Sequence, residues 1–285
     1  MKIAISAATG HFGQLAIQEL LKTVTAGNIV AVVRNREKGQ RLLPAGITVR
    51  QADYTDEVAM TTALAGIDRL LFISSVPGGP VSRQQQHANV VKAAQAAGVR
   101  YVAYTSFAKA DTAQSPLSKD HVATEALLKA SGLQVSFLRN AWYLENELSY
   151  LQAGAQGQDS VYAAGDGRIG FALEREYAEA AAKVMTTPVP KPVYEFAGTP
   201  VIYAELAATL QTVTGQAITF KAVSDDTYRQ VMREAGVAPE LVEVLLSMQI
   251  MMRAGELDVT SSDLADVLGR PVTPLATAIR EILAR

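Results

Sequence analysis

The stretch from Lys2 to Gly13, KIAISAATGHFG, constrains this chain more than any other. Ile3-Ala4-Ile5 is a short apolar run able to form a buried strand. A turn of small residues follows, and then Leu15, Ile17, Leu20 and Leu21 begin an amphipathic helix. Strand, small-residue turn and helix form the opening of a dinucleotide-binding βαβ unit, where a pyrophosphate rests on backbone N–H groups at a helix N-terminus. Small residues are required because a Cβ would hold the phosphate away from the backbone. The pattern G-x-G-x-x-G is incomplete: Ala7 or Ala8 stands where a glycine is expected, and Gly10 and Gly13 remain. An ordinary strand–turn–helix can carry the same residues, so the rest of the chain has to decide.

Apolar β-rich runs recur with helical patterns between them. Residues 29–33, 47–50, 70–73, 101–104 and 135–138 read as strands, and 13–23, 36–43, 56–65, 83–97 and 120–131 as helices. Gly66, Gly98 and Gly132 stand where left-handed residues would end three of the helices. Strands alternating with helices predict an α/β fold, a Rossmann-like doubly wound parallel sheet, because parallel neighbours need a crossover. Ligands of such sheets bind beyond the carboxyl ends of the strands, here just after Ser6, Val33, Ala52, Ile73, Tyr104 and Leu138. After residue 140 the rhythm changes. Glycines at 154, 157, 165, 167 and 170 predict loops and short strands, a helix is expected at 174–186, and Pro188, Pro190 and Pro192 mark a surface linker. Helical patterns at 203–214, 225–235, 239–254 and 274–284 predict a smaller, mostly helical C-terminal lobe. The expected division is therefore 1–140, with returning elements around 160–200, and 141–285.

Composition removes several classes of function. The net charge is −2 and no basic footprint is present, which argues against nucleic acid as a partner. The chain has no cysteine, so disulfides, thiolate nucleophiles and Cys-ligated metals are excluded. The three histidines, His11, His87 and His121, have no metal-ligand spacing, and no metal is expected. No apolar run approaches the ~18–20 residues of a membrane span, and the N-terminal residues lack a signal-peptide pattern. The expectation is a cytoplasmic protein with a small-molecule partner, able to form a homo-oligomer.

Arg34 ends the second strand, where an NAD enzyme usually presents a carboxylate to the ribose 2′-OH. The chain reads Val33-Arg34-Asn35-Arg36, with no acid before Glu37. Arginines there can bind a 2′-phosphate, so NADPH is favoured over NADH; two solvated surface arginines are the alternative. Asp53 can accept from an adenine amino group or cap a turn. Ser74-Ser75-Val76 opens a loop of small and rigid residues that can pass close to a nicotinamide ribose or serve only as a loop. The fifth strand ends Tyr104-Thr105-Ser106. Short-chain reductases place a serine here and a Tyr-x-x-x-Lys pair on the next helix, the tyrosine acting as general acid. With Glu125 as landmark, the corresponding residues are Leu117 and His121. An alcohol or ketone would lose its proton donor, whereas an electron-poor quinone or cationic dye accepts hydride without one. His121 can orient the ribose or donate a proton, or simply cap a helix. Asn140 can bond a carboxamide. Trp142, the only tryptophan, and Tyr143 can wall a flat aromatic substrate, or Trp142 can anchor the helical lobe. Met248, Met251 and Met252 share a helical face that suits core, a subunit contact or an adaptable pocket.

Together these segments resemble the NmrA-like atypical short-chain dehydrogenases/reductases, the group that holds bacterial NAD(P)H:quinone oxidoreductases of type 2 and triphenylmethane reductase. The resemblance is carried by Ile29–Asn35, Val49–Tyr54, His87–Ala94, Ala103–Ser106, Leu138–Tyr143, Ala164–Gly167 and Leu268–Leu275. It implies an NADP-binding domain, a substrate-binding lobe, and an NADPH-dependent, flavin-free transfer of hydride to a quinone or similar acceptor. It also implies pyrophosphate contacts from Ala8, Thr9, Gly10, His11 and Phe12, with Arg34 on the 2′-phosphate. Ser74, Ser75, Val76, Thr105, Asn140 and Trp142 would lie about the nicotinamide, with His121 and Tyr143 as candidate catalytic residues. The departure is Ser6-Ala7-Ala8-Thr9-Gly10, where the family usually reads Thr-Gly-Ala-Thr-Gly. Some NmrA-like proteins are redox-sensing regulators without catalysis, and that remains the alternative.

Overall fold

Strands that are apolar at every position need cover on both faces, and the sheet of this protein supplies it. A computed structural model describes residues 1–284. In it β1 (Ile3–Ile5), β2 (Ile29–Val33) and β5 (Tyr101–Phe107) are buried from end to end, as expected of parallel strands between two helical layers. With β3 (Thr48–Gln51), β4 (Arg69–Phe72), β6 (Gln134–Asn140) and β10 (Val193–Phe196) they form a seven-stranded sheet of order β10-β6-β5-β4-β1-β2-β3. The described pairings among β1 to β6 are parallel, with Ile3 facing Ile29 on one side and Arg69 on the other. The strand order reverses at β1, so the loops after β1 and β4 part there and open the crevice in which such sheets bind ligands.

The helices α1 (His11–Leu20), α2 (Arg36–Leu42), α3 (Glu57–Leu64), α4 (Arg83–Ala96) and α5 (Pro116–Ala130) follow successive strands. Three of them start on side-chain caps: Asn35 accepts from Lys38 N, Asp56 from Ala59 N and Ser82 from Gln85 N. Gly66, Gly98 and Gly132 all have positive φ. Met60 and Leu64 of α3 and Val90 and Ala94 of α4 share a core cluster with Val30, Phe72 and Tyr104 of the sheet.

By contacts the chain forms two compact units. The first comprises Met1–Ala110, Leu117–Asn140 and Arg175–Tyr194; the second comprises Asp111–Pro116, Ala141–Glu174 and the chain from Glu195 onward. The second unit is mostly helical. It holds α6 (Leu148–Ala155), α8 (Tyr203–Thr214), α9 (Asp225–Glu234), α10 (Pro239–Arg253), α11 (Asp263–Leu268) and α12 (Leu275–Leu283). Between the helices lie two small sheets, β7 (Trp142–Tyr143) with β9 (Phe171–Ala172) and β8 (Ser160–Tyr162) with β11 (Phe220–Ala222). α7 (Glu174–Thr186) spans the residues expected for it.

The proline-rich linker at 188–192 is an irregular, largely exposed segment as expected, but it leads into an unexpected strand, β10, and its Pro192 carbonyl accepts from Phe137 N at 2.9 Å. Two boundaries are corrected. α1 begins at His11, which places His11 and Phe12 in its first turn. β5 runs on to Phe107, so Thr105 and Ser106 belong to the strand.

Two local features carry measurable energy. Arg139 of β6 holds Glu125 of α5 through Nε–Oε1 (2.9 Å) and Nη2–Oε2 (2.7 Å), and Ser106 Oγ donates to Oε1 at 2.6 Å. All three side chains are buried. Ala7 has φ +48°, a left-handed backbone for which a Cβ is penalised. Glu125→Ala removes the buried carboxylate that Arg139 grips through two bonds, and its expected loss in urea unfolding is about 3–5 kcal/mol. Ala7→Gly relieves the turn and is expected to raise the unfolding free energy by about 1 kcal/mol; an unchanged or lower midpoint would show that the turn carries no strain.

Candidate active site

The first part of the site is the turn after β1. Ser6 N donates to Leu71 O (3.1 Å) and Ala8 N to Val32 O (3.3 Å), which ties the turn to both neighbouring strands. The Ser6 hydroxyl donates to Leu71 O and accepts from Ile73 N at 3.0 Å. Above it the Tyr54 hydroxyl bonds both Ser6 Oγ and Ile73 O. Burial raises the Tyr54 pKa well above the ordinary phenol value, so the group stays neutral. Gly10 N closes the turn on Ala7 O at 2.9 Å. A Cβ on Gly13 would lie 2.8 Å from Ala7 O and from Ala8 Cα, so only glycine lets α1 rest on the turn. Gly10 is the exposed N-cap of α1, brings no side-chain cap, and is followed by a first turn without an acidic residue. These residues fit a pyrophosphate: the positive end of α1 opens where a side chain would otherwise stand.

Arg34 and Arg36 are exposed at the end of β2. Their placement is fixed by backbone, since Gln51 Nε2 donates to Arg34 O at 3.1 Å and Asn35 caps α2. Asp53 is half-buried beyond β3, where its Oδ1 accepts from Thr55 N and Thr55 Oγ1, each at 2.8 Å. Asp53 therefore braces a turn, and the helix cap is Asp56. No carboxylate stands at the end of β2 before Glu37, and the Arg34 side chain is exposed there.

At the ends of β4 and β5 a buried polar chain appears. Ser74 N donates to Thr105 Oγ1 at 2.8 Å, and Ser75 N to His87 Nε2 at 3.0 Å. A backbone N–H can only donate, so His87 Nε2 is an acceptor. Its proton then sits on Nδ1, 2.8 Å from Thr124 Oγ1, which passes its own proton to Asp120 O at 2.7 Å. The Tyr104 hydroxyl lies 2.9 Å from His121 Nδ1. Burial first, and the nearby Arg83 charge second, push His87 down to about 3 and hold His121 well below the usual imidazole range. Both histidines are neutral at physiological pH. Arg83, in the first turn of α4, is buried, with its Nε and Nη1 lacking a partner among the described residues. Val76 is exposed in the loop.

His87 and Arg83 were not among the expected site residues. Their signal lies in the helix period: Arg83, His87, Val90, Val91 and Ala94 occupy one buried stripe of α4, so two polar residues sit on an apolar face. Ser6 and Tyr54 had no such signal, because their pairing joins residues 48 apart.

Asn140 ends β6, buried, and its carbonyl accepts from Ala108 N at 3.1 Å. The second unit opens directly after it. There Tyr143 is half-buried in β7 and Trp142 is buried beside a cavity of about 920 Å³. Tyr150, Tyr203, Tyr228, Met248 and Met252 also line that cavity. Trp142 thus belongs to the second unit, where it walls the cavity and bonds Glu147. Of the methionine face, Met248 and Met252 reach the cavity; Met251 is core. Among the described residues no cluster of His, Asp or Glu could hold a metal ion, and no helix is long and apolar enough to cross a membrane.

A family model for NAD(P)H-binding proteins matches residues 7–166. Quinone oxidoreductase 2 of Escherichia coli K12 is 41% identical over 282 residues, 98% of each chain. The crystal structure of the NADPH-dependent quinone oxidoreductase of E. coli in complex with NADPH superposes with a TM-score of 0.93 over 99% of both chains. Triphenylmethane reductase of Citrobacter sp. does so with 0.94 at 35% identity, over the whole of both chains. The turn at Gly10 and Gly13 and the doubly wound sheet behind it are thus a cofactor-binding fold shared along the entire length of these relatives, and the chain belongs to the NAD(P)H-binding oxidoreductases of the quinone oxidoreductase type.

Proposed function

We propose that the protein takes NADPH and passes hydride directly to a quinone or a similar electron-poor conjugated acceptor, without flavin. The observation that carries this reading is the pairing of an open, glycine-lined α1 terminus with Arg34 at the ribose end of β2, in a chain similar throughout to an NADPH-dependent quinone oxidoreductase. Ala8, Thr9, Gly10, His11 and Phe12 would hold the pyrophosphate, Arg34 the 2′-phosphate, and Asp53 would border the adenine. Ser74, Ser75, Val76, Thr105, Asn140 and Trp142 are our candidates for the nicotinamide end, and Tyr143 for the acceptor. When bound, NADPH supplies the two electrons as hydride; the acceptor takes these and one proton to become a hydroquinone. The protein contributes position and exclusion of water.

The neutral histidines bear on the proton. His121 has no imidazolium to offer at physiological pH, so its role in this reading is to orient the Tyr104 hydroxyl through Nδ1. The hydroquinone oxygen then takes its proton from solvent. Leu117 and His121 in place of a tyrosine–lysine pair also suit a protein that senses the NADP redox state without turnover. Such a protein would bind NADPH and leave it unoxidised by every quinone.

Mixing the protein with NADPH and a panel of quinones, followed through nicotinamide absorbance, is expected to show turnover; no turnover across the panel selects the sensor. Arg34→Ala is expected to weaken NADPH about tenfold or more, the size of a lost charge-assisted contact, and to leave NADH nearly unchanged. An equal loss for both would remove Arg34 from the 2′-phosphate. Because burial lowers both imidazole pKa values, kcat/KM for the quinone at saturating NADPH is expected to cross the range from about pH 6 to pH 8 without an inflection from His87 or His121. An inflection near 6.5 that His121→Gln abolishes would restore the imidazolium as donor.

A further inference from the structure

Among the described residues the first unit buries two arginines, and only one of them is paired. Arg139 is gripped by Glu125 through two bonds. Arg83 is only 8% exposed, and its Nε and Nη1 are closed off without a partner, which leaves Nη2 as the open end of the guanidinium. An uncompensated buried charge is costly unless something arrives to meet it. Asp120 favours the charge electrostatically but does not pair with it; its Oδ1 accepts from Gln84 Nε2 at 3.0 Å.

The position of Arg83 follows from its helix. It lies one turn before His87 on the same buried face of α4, and His87 Nε2 meets Ser75 N just past β4. Helical side chains lean toward the N-terminus of their helix, so the guanidinium stands at the carboxyl end of the sheet, where ligands of this fold bind. Its charge acts on three neighbouring rings. Burial first, and Arg83 second, lower the pKa of His87 and of His121. Burial holds the Tyr104 phenol far above its ordinary range, with Arg83 the leading opposing influence. All three rings are therefore neutral near pH 7, and none is a ready proton donor. The Tyr104 hydroxyl is already engaged, 2.9 Å from His121 Nδ1 and 3.4 Å from His87 Nδ1. What this group of residues offers a ligand is one desolvated positive charge.

We infer that Arg83 is an anion-recognition residue that binds a single negative oxygen on an unsaturated ring, an enolate or phenolate. A carboxylate or phosphate is best held by two guanidinium nitrogens at once, and two of the three are sealed here. One oxygen on Nη2 needs only the third. That this ligand is a reduced quinone rests on the hydride reading above. Hydride arriving at the acceptor turns the quinone into a hydroquinone monoanion, and one proton from solvent completes the hydroquinone. The charge on the monoanion's oxygen is what Arg83 receives, as a preorganised cation in a site of low dielectric.

The test compares two ligands of similar shape, 2-hydroxy-1,4-naphthoquinone, an anion at neutral pH, and the uncharged 2-methoxy-1,4-naphthoquinone. Each is titrated calorimetrically into the full chain saturated with 2′-phospho-ADP-ribose, which fills the phosphate end of the cofactor site and brings no nicotinamide. No hydride donor is present, so the outcome is independent of turnover. The anion is expected to bind at least about tenfold more tightly than the methoxy compound. Arg83→Gln is expected to bring the two affinities within about twofold, and Arg83→Lys to keep part of the preference. Equal affinities in the wild type, whether or not a variant folds, would overturn the inference, as would a preference that folded Arg83→Gln retains. In turnover of the methoxy compound with NADPH, Arg83→Gln is expected to lower kcat about tenfold with little change in KM, because the charge appears only as hydride moves. A raised KM with kcat unchanged would overturn its part in the reaction. An anion preference without turnover would sink the hydride reading and leave the Arg83 site standing; turnover without the preference would do the reverse.

Discussion

The first unit depends on β1 being hydrogen-bonded along both edges and covered on both faces. A three-residue strand has little area of its own, yet Ile3, Ala4 and Ile5 are fully buried and aligned to β2 and β4 together. Whatever follows β1 therefore leaves the sheet at a fixed point. Ser6 carries that precision one residue further by bonding Leu71 and Ile73 with one hydroxyl. The turn is then forced to reverse within a few residues, and Ala7 takes up the left-handed backbone that the reversal requires. Glycine at 13 allows α1 to rest against the turn that strains Ala7. The open N-terminus of α1 is a product of these constraints, with no side-chain cap on it.

A second kind of precision appears at the ends of β4 and β5, where Ser75, His87, Thr124 and Tyr104 are linked by buried hydrogen bonds. Low dielectric makes such chains directional: Ser75 N–H fixes the His87 tautomer, and the tautomer fixes what Thr124 can do. Neutrality is a consequence of this burial. Two histidines near the carboxyl ends of the strands would suggest acid–base work from their ordinary pKa, and the structure assigns them to holding a loop and a tyrosine.

Much of the first unit was legible because its signals are local. The apolar strands, the helices between them and the three helix-ending glycines each follow from short windows, and α7 and α8 fall on their expected residues. What was hidden shared one cause: residues whose meaning lies in a distant partner. Pro188 to Pro192 read as a linker and form one, but the edge strand β10 that follows was not legible, because its place is set by the distant β6. Gly154 read as a loop residue, yet it lies inside α6, where a Cβ would come within 2.5 Å of Leu210 Cδ2. Arg34 could be placed from spacing alone. Glu147 could not, because its partners Trp142 and Tyr203 lie 5 and 56 residues away.

The burial of Trp142 has a spectroscopic side. It is the only tryptophan in the chain, its indole N–H is held by a carboxylate, and its ring forms part of a cavity wall. Emission excited at the red edge of protein absorption thus arises from a single place. Its wavelength reports the polarity of that one wall, and its quenching reports entry into that one cavity. The protein carries an optical probe of the second unit without any label, silent to events at the phosphate turn unless they are transmitted through the chain.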